Sequence, residues 1–519
     1  MALDALRSGF VTLCIDPNLN YYDPQCKVLI EGQLPDAPTD GSVTYAAADQ
    51  VIEVPSAGQA AGMFGNGVLA ASVAKAFCAC PSGVNIFVLP RTPDVSDVAA
   101  VYTMTFDGTA TTPGRVQIFA LDADYIVDIM VNTGDTAAMI ATQVAAAYNA
   151  LPGFPYTAVA DTTTDANVIL TAVDRGTIGN YLNPIYNYTG RPNVAPGGIT
   201  MAVVRTTAGT GTWTLGQGQD YATVLGECCY DCYAPLTGDT SLQTLLQKWL
   251  EDAWDCTKPQ CFGHGYVWNE GTLGMVLATG TNAAVFNRLA YPVNDSNAPY
   301  FLIVDYAARS CCTACTNPEV NIQGETYGVL SCVSRPASCS QPWAQSDRQQ
   351  LSAAGFVTWG PAQMGSGANL TNPMIYEDIT NYLYDTQGRS NATYRSTSIT
   401  RWAKSFALYL ASFIETTFDG LSFFEDGTQI REGVRATTRT LAYGRIVDWL
   451  RTQEGVLIST IQDQASQVVL QSDFDVAPPC HGVPGKYWLR LIVGPPIRAA
   501  QFVTRVMPRL LDNCPRVPT

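Results

Sequence analysis

Charged side chains are scarce in this chain of 519 residues. They make up 14% of the sequence, against roughly 25% in an average soluble domain. The balance is acidic as well, with a net charge of −16. Proteins that bind nucleic acids need lysine and arginine to neutralise phosphates, so this deficit argues against a nucleic-acid partner. A surface poor in charge suits either a protein that buries much of its outside against copies of itself or a plain secreted β-rich protein.

Long hydrophobic runs are missing too. No apolar run approaches the roughly 20 residues of a membrane span, so we expect no direct membrane insertion. The first residues, MALDALRSGFVTLCID, contain Asp4 and no extended apolar segment, and they therefore do not resemble a signal peptide. We expect a soluble chain that folds in a cytoplasm.

Residues that carry catalysis are few and scattered. The chain has two histidines; we interpret His264 as a structural or exposed residue, and His481 directly follows Cys480. Chain neighbours point apart along an extended backbone, so Cys480 and His481 do not form a nucleophile–base pair. The sequence has no G-x-S-x-G elbow, no P-loop and no H-E-x-x-H motif. We expect no enzymatic activity, no catalytic residue and no cofactor.

Cysteine, in contrast, is abundant, with 16 residues. Two C-C-x-x-C groups, at 228–232 and 311–315, offer thiolates to zinc. A zinc-dependent hydrolase is therefore an alternative, with metal on Cys228, Cys229, Cys232, Cys312 or Cys315. However, the first group alternates as in a strand, and the second has helical spacing. Because nothing indicates export, we do not expect disulfides. We interpret the cysteines as buried free thiols and expect no metal site.

The order of predicted elements indicates an α/β core. Strands are predicted at 27–32 and 85–89, with helices at 57–64 and 68–78 between them. A strand is predicted around 228–234. Amphipathic or apolar stretches then predict helices at 241–255, 280–290, 300–316, 399–417, 439–450 and 456–468. The helix at 241–255 has an apolar stripe of Leu242, Leu245, Leu246 and Trp249, and the helix at 399–417 aligns Trp402, Phe406, Tyr409, Phe413 and Ile414.

A β-rich segment interrupts this core. Short strands follow one another from about residue 98 to 200, with one helix at 135–149.

The predicted fold class is thus α/β (α+β) and multidomain, with the core made from N- and C-terminal parts of the chain, an inserted β-rich domain and strand-forming arms at both ends. The predicted boundaries are 1–22 for the N-terminal arm, 23–98 and 201–484 for the two parts of the core (with a helical inner region at about 395–484), 99–200 for the inserted outer domain, and 485–519 for the C-terminal strand and arm.

The two ends carry opposite charge. Residues 1–60 contain eight acidic and two basic residues, whereas residues 481–519 contain six basic residues and one acidic residue. Each end also contains a strand-like segment, GFVTLCI at 9–15 and AAQFVTRVM at 499–507. Unpaired strand edges invite another chain. The ends are expected either to pair between molecules or to fold back onto their own subunit.

Several segments resemble contractile-tail sheath proteins of bacteriophages, in particular the Mu-like branch. The similar segments are RSGFVTLCID at the first arm, VPSAGQAAGMFGNGVLAASVAKAF (54–77), NIFVLP (85–90), GDTAAMIATQVAAAYNA (134–150), DRGTIGNYLN (174–183), LQKWLEDAWD (246–255) and GHGYVWNEGTLGMVLATGTNAAVFNR (263–288). Ser8-Gly9-Phe10-Val11 departs from the family's usual arm, and so does the proline-rich end DNCPRVPT. The resemblance covers almost the whole chain, although it consists of similar sequence patterns and not of a catalytic motif.

The resemblance implies a structural subunit that forms stacked hexameric rings around a tail tube and contracts to drive the tube through the host envelope. The implied partners are the chain itself, the tail tube protein, and the baseplate and tail terminator proteins. The implied location is the virion tail, assembled in the host cytoplasm. Other virion tail structural proteins are an alternative, and the β-rich insertion is interpreted as exterior decoration rather than as a receptor- or glycan-binding module.

The resemblance also assigns the arms. In the family, an N-terminal and a C-terminal strand from neighbours join a two-stranded element of a third subunit. Burying the apolar side chains of one arm contributes on the order of 6–10 kcal/mol before ordering costs. The predicted inter-subunit residues are Phe10, Val11, Leu13 and Ile15 in the N-terminal arm; Phe502, Val503, Arg505 and Val506 in the C-terminal arm; and Trp488, Leu489, Leu491 and Val493 in the acceptor strand, whose partner is predicted near 468–476.

Overall fold

The structure is a computed structural model. It describes residues 10–15, 26–453, 469–472 and 487–492, and the long range has short gaps, the longest at 37–44, 214–219, 254–261 and 363–368. The predicted C-terminal arm and the predicted helix at 456–468 lie outside the described residues.

The strands are, in chain order, β1 (Phe10–Ile15), β2 (Cys26–Gln33), β3 (Ile52–Val54), β4 (Val84–Arg91), β5 (Ala99–Gly108), β6 (Gly114–Ala120), β7 (Asp122–Val131), β8 (Tyr156–Ala160), β9 (Asn167–Arg175), β10 (Ile185–Tyr186), β11 (Ile199–Thr207), β12 (Cys232–Pro235), β13 (His264–Gly271), β14 (Phe286–Pro292), β15 (Arg335–Pro336), β16 (Phe356–Val357), β17 (Trp359–Pro361), β18 (Leu370–Thr371), β19 (Pro373–Ile375), β20 (Ser422–Phe424), β21 (Ala436–Thr438), β22 (Val469–Ser472) and β23 (Tyr487–Ile492).

The α-helices are α1 (Ala57–Phe64), α2 (Val68–Ala79), α3 (Ala137–Asn149), α4 (Tyr221–Leu225), α5 (Thr240–Ala253), α6 (Leu273–Ala278), α7 (Pro299–Thr316), α8 (Gly324–Tyr327), α9 (Gln345–Ala353), α10 (Thr397–Phe418) and α11 (Arg439–Thr452). A short 3-10 helix covers Thr177–Tyr181. Among the helices of the described ranges, none is long and apolar enough to cross a membrane.

A seven-stranded sheet forms the centre of the molecule. Its order is β16–β14–β13–β12–β2–β4–β3, and neighbouring strands are parallel except for the antiparallel edge strand β3. Strands from before residue 92 thus lie beside strands from after residue 231. Helix α7 packs against β2, β12 and β13 and against α2. The apolar runs of β2 and β14 are buried because a parallel sheet is covered on both faces.

Gly32 in β2 marks a close approach between this sheet and its surroundings. A Cβ atom at this position would lie 2.8 Å from the side chains of both Leu69 and Leu236. Leu69 belongs to α2, so a larger residue would push this helix away from the sheet.

Two further sheets lie between β4 and β12 in the chain. One has the order β11–β5–β9–β8 and the other β10–β6–β7, both antiparallel. Helix α3 packs on them, and the side chain of Thr136 accepts a hydrogen bond from the Met139 amide at its start. Their buried residues are continuous with those of the central sheet and α7. The ring of Tyr125, for example, stacks on Phe301 at a centroid distance of 6.3 Å.

Most predicted elements are present, but three predictions are wrong in detail. The predicted helix at 280–290 is not formed in the described residues of that range, and β14 occupies its last five positions, 286–290; periodicity does not distinguish a short buried strand from a buried helix. The strand expected from Cys228 begins only at Cys232, so the alternation seen at 228–232 does not belong to a strand. In the predicted apolar stripes, Leu245 and Tyr409 are exposed.

Candidate inter-subunit sheet

A small sheet joins the two ends of the chain. Strand β1 pairs antiparallel with β23, from Phe10 opposite Ile492 to Ile15 opposite Tyr487. On its other side β23 pairs antiparallel with β22, from Val469 opposite Arg490 to Ser472 opposite Tyr487. The resulting order is β1–β23–β22. The acidic N-terminal segment and the basic C-terminal segment therefore meet through backbone hydrogen bonds.

The structure places the predicted arm residues as follows. The four N-terminal residues, Phe10, Val11, Leu13 and Ile15, all lie in β1, opposite positions 492, 491, 489 and 487. The predicted acceptor residues Trp488, Leu489 and Leu491 lie in β23. Val493 and the C-terminal arm residues Phe502, Val503, Arg505 and Val506 lie outside the described residues. The pairing seen is within one chain, and the exchange of strands between chains stays a prediction.

Both outer strands of this small sheet have a free edge among the described strands, because β1 and β22 each pair with β23 alone. Free edges of this kind can accept another strand. The edges of the central sheet are less suited to strand addition, since β3 has three residues and β16 has two. The edge strand β11 is longer, but a β-bulge interrupts its register between Arg205 and Thr207.

Two long helices support the small sheet. Strand β1 lies beside α10, and β22 lies beside α11. The two helices pack together through aromatic rings, with Phe413 stacked on Trp449 at 5.2 Å and Phe406 tilted against the same ring at 5.8 Å. The small sheet is therefore connected to the core through this helix pair.

A buried polar network anchors the start of α10. Arg401 donates to Asp378 at 2.7 Å and to the Val320 carbonyl at 2.6 Å. Asn287 of β14 donates to Asp378 at 3.0 Å and to Thr397 at 2.8 Å. Because breaking one partner of such a buried pair costs about 3–5 kcal/mol, this network holds α10 rigidly on the central sheet. Sequence reasoning missed it, since Asp378 lies outside every predicted element.

His264, one of the two histidines, lies next to this network. Its Nε2 atom contacts the Asn287 side chain, and its ring packs edge-on against Tyr266 at 5.3 Å. Burial lowers the pKa of His264 to about 4. The ring is therefore neutral at physiological pH, in agreement with the structural role expected from the sequence.

The cysteines correct the sequence analysis. Disulfides join Cys26 to Cys315 and Cys78 to Cys332, and Cys229 is disulfide-bonded as well. The expectation of no disulfides is therefore wrong for these residues. The two pairs are 289 and 254 residues apart in sequence, so spacing offered no signal for them. Cys232 and Cys311 are buried thiols, as expected.

Comparisons with known proteins provide one sequence relative. No family model matches the chain. The chain is 24% identical over 396 residues to the Mu-like prophage FluMu tail sheath protein of Haemophilus influenzae, which covers 76% of this chain and 77% of the relative.

Solved structures of similar proteins include two sheath tail proteins and a baseplate. The sheath tail protein of Desulfitobacterium hafniense has a TM-score of 0.44 at 11% identity and covers 89% of this chain and 93% of its own. That of Listeria innocua has a TM-score of 0.44 at 8% identity, covering 90% and 95%. The anti-feeding prophage baseplate has 0.43 at 9% identity, covering 93% and 92%. At these TM-scores the likeness carries no argument of its own.

The sequence relative is a tail sheath protein, so this chain is similar to a structural protein of phage tails and not to an enzyme. The resemblance to tail sheath proteins that was seen in the sequence is thereby confirmed. The alternative of a zinc-dependent hydrolase receives no support from this homology.

Proposed function

We propose that this chain is the subunit of a contractile tail sheath. It polymerises as stacked hexameric rings around the tail tube, and its contraction drives the tube through the host envelope. The observation that carries the proposal is the β1–β23–β22 sheet, in which segments from both ends of the chain form a strand-pairing unit with two free edges. The homology to a tail sheath protein supports the same function.

In the assembled sheath, β22 and β23 form the two-stranded acceptor. A β1 strand from one neighbour takes the position that β1 of the same chain has in the structure, and the C-terminal arm of another neighbour adds to the free edge of β22. Ten residues, 16–25, connect β1 to β2, and ten extended residues span at most about 33–36 Å. An exchanged β1 strand can therefore lie up to this distance from its own β2, and strand exchange needs no change in the core.

The arms act as tethers while weaker contacts between the folded parts of the subunits change. Backbone pairing of a six-residue strand stays intact when subunits rotate, because this pairing is separate from the contacts between the folded parts. The energy for contraction is stored in subunit contacts at assembly, and no nucleotide is hydrolysed.

The proposed partners are further copies of this chain, the tail tube protein, and the baseplate and tail terminator proteins. The proposed location is the virion tail, with assembly in the host cytoplasm. The segment between β5 and β11 lies on the outside of the sheath, and the helical region around α10 and α11 faces the tube. The division into arms, two core parts and an inserted domain, with the boundaries given above, is part of the proposal.

Deletion of residues 1–15 tests the proposal. The deletion removes β1, and we expect a folded subunit that no longer polymerises, because the acceptor loses its exchanged strand. Negative-stain electron microscopy of the purified protein measures polymerisation, and circular dichroism measures folding. Full-length protein is expected to form long tubes with six-fold end views.

The matched control is deletion of residues 1–9, which ends just before β1 and leaves all six strand residues in place. This shorter deletion is expected to form tubes. Long tubes from the 1–15 deletion would show that the assignment of the arm is wrong.

A further inference from the structure

Three cysteines converge at the edge of the core. Cys26 is the first residue of β2, and Cys311 and Cys315 lie one helical turn apart near the end of α7. Their sulfur atoms all lie within 4.8 Å of one another. Residues four apart on a helix share one face, so α7 presents two sulfurs side by side toward the start of β2.

A further thiol, that of Cys232, lies on the strand next to β2. Cys232, the first residue of the neighbouring strand β12, is a buried free thiol. Strands β2 and β12 are parallel neighbours, with Val28 opposite Cys232, so the two strand starts lie at the same end of the sheet. Cys232 therefore lies at the same end of the sheet as Cys26.

The arrangement has the chemistry of a thiolate metal site. Zinc in structural sites binds cysteine sulfurs at about 2.3 Å in a tetrahedron, which puts the sulfurs about 3.8 Å apart. A group of three sulfurs within 4.8 Å meets this requirement after small side-chain rotations. Burial differs across the group: Cys311 is buried, Cys26 is half-buried and Cys315 is exposed. An ion can thus enter from the side of Cys315.

We propose that Cys26, Cys311 and Cys315 form a zinc site when the Cys26–Cys315 disulfide is reduced, with Cys232 of the neighbouring strand as the protein ligand proposed for the fourth position. Two equivalents of a small-molecule thiol reduce the disulfide and leave as their own disulfide. Each of the three cysteine thiols then forms a bond from sulfur to Zn²⁺ and releases one proton to solvent. The ion replaces the disulfide as the link between β2 and α7.

This site differs from a zinc site made only of the two C-C-x-x-C groups. Such a site would combine cysteines of residues 228–232 and 311–315, whereas the structure adds Cys26, which is 285 residues before Cys311 in the sequence. It also differs in role, since a link between a strand and a helix of the core is structural.

The experiment measures zinc bound by the full-length protein. The purified protein is reduced with a small-molecule thiol, incubated with ZnCl₂ and desalted, and zinc is quantified by elemental mass spectrometry. Peptide mapping without further reduction reports the state of the Cys26–Cys315 bond. We expect about one zinc per chain, and Co²⁺ in its place should give the absorption bands of tetrahedral thiolate coordination.

Variants assign the ligands. Cys315→Ser changes an exposed position and is compared with the wild type after reduction, when neither protein has the Cys26–Cys315 disulfide. It is expected to lower bound zinc to near zero, and Cys311→Ser should do the same. Cys339→Ser, at a half-buried cysteine outside the group, is the matched control and should retain the zinc of the wild type.

Two results would overturn the proposal. One is equal zinc content in the wild type and in Cys315→Ser, since the ion would then be bound elsewhere. The other is a Cys26–Cys315 bond that survives the reducing treatment, since the thiols would then not be available to the ion.

Discussion

Asp174 shows how a single residue connects the β-rich segment to the core. This carboxyl group, in β9, accepts a hydrogen bond from the Val68 amide at the start of α2, at 2.6 Å. A Cβ atom at position 67 would lie 2.4 Å from the carboxylate, so Gly67 allows the approach. Burial raises the pKa of Asp174 to about 7, and the charge of Asp36 adds to the effect, although the Val68 amide lowers it.

This shift predicts a pH dependence of stability. The pKa of Asp174 is raised in the folded state, so the folded protein binds the proton more tightly than the unfolded chain. The resulting stabilisation is complete below 3.8, the ordinary pKa of an aspartate side chain, and is lost as the pH rises toward 7. Asp174→Asn imitates the protonated form. We expect it to raise the free energy of unfolding at pH 8 by about 2–4 kcal/mol and to change it little in acid, where the carboxyl group is protonated in both states.

Denaturant unfolding of both proteins across this pH range measures the effect. Asp107→Asn, at an exposed position of β5, is the matched control and should leave the pH dependence as in the wild type. A variant at position 174 that is less stable than the wild type at pH 8 would contradict the prediction.

At the scale of elements, the pairing of β1 with β23 is the feature that strand exchange would use. The register puts Cys14 of β1 opposite Trp488 of β23. The same register is available within one chain or between two chains, because strand pairing depends on the backbone and not on which chain supplies it. A cross-link between β1 and β23 distinguishes the two arrangements. Pairing within one chain gives a cross-linked monomer, whereas pairing between chains gives a covalent multimer.

The Trp488→Cys variant tests whether β1 pairs with β23 of its own chain or of a neighbouring chain. Oxidation should join the new cysteine to Cys14 and, if β1 is exchanged, give a ladder of covalent multimers on non-reducing gels of the assembled protein. The double variant Cys14→Ser, Trp488→Cys is the control for the other cysteines and should give no more multimers than the wild type. A cross-linked species that stays monomeric in assembled tubes would show that β1 remains on its own subunit.

At the scale of the whole molecule, the β-rich segment is not separate from the core. Its ends are adjacent, since Val98 and Thr210 exchange hydrogen bonds of 3.0 and 3.1 Å. Yet its buried residues belong to the same cluster as those of α2 and α7. Lys75 of α2 is paired with Asp122 of β7, and Asn297 donates to the Leu121 carbonyl. These contacts predict that the segment contributes to the stability of the core, in addition to the exterior position expected from the sequence.

Replacing residues 99–209 by a short Gly/Ser linker tests this contribution. The adjacent ends allow the chain to close, but the change exposes Phe301 and removes the partners of Lys75. We expect a lower melting temperature and increased binding of a hydrophobic dye, measured against the full-length protein. A protein with the same chain but ten Gly/Ser residues added at Gly153, a position with no neighbour within 4 Å of its Cβ direction, controls for a change in loop length. Unchanged stability of the excised protein would instead support the decoration predicted from the sequence.

The sequence by itself was sufficient for the local elements and for the class of protein. The apolar runs of β2 and β4, the alanine-rich α2 and the amphipathic α10 all follow from short-range patterns, and the sheath-like segments follow from their order. The N-terminal strand, β1, and the strand β23 were also recognised, because β-branched and aromatic residues between turn-forming residues suffice for that.

Only the tertiary structure decided what these elements contact. It brought Cys26 to Cys311 and Cys315, Asp378 to Arg401, and Asp174 to the start of α2. It also showed 286–292 as a strand, since burial between parallel neighbours, and not periodicity, determines the conformation of such a short apolar run. Each of these contacts joins residues far apart in the chain. Their energy comes from desolvation and from geometry in three dimensions, which residue spacing along one chain does not encode.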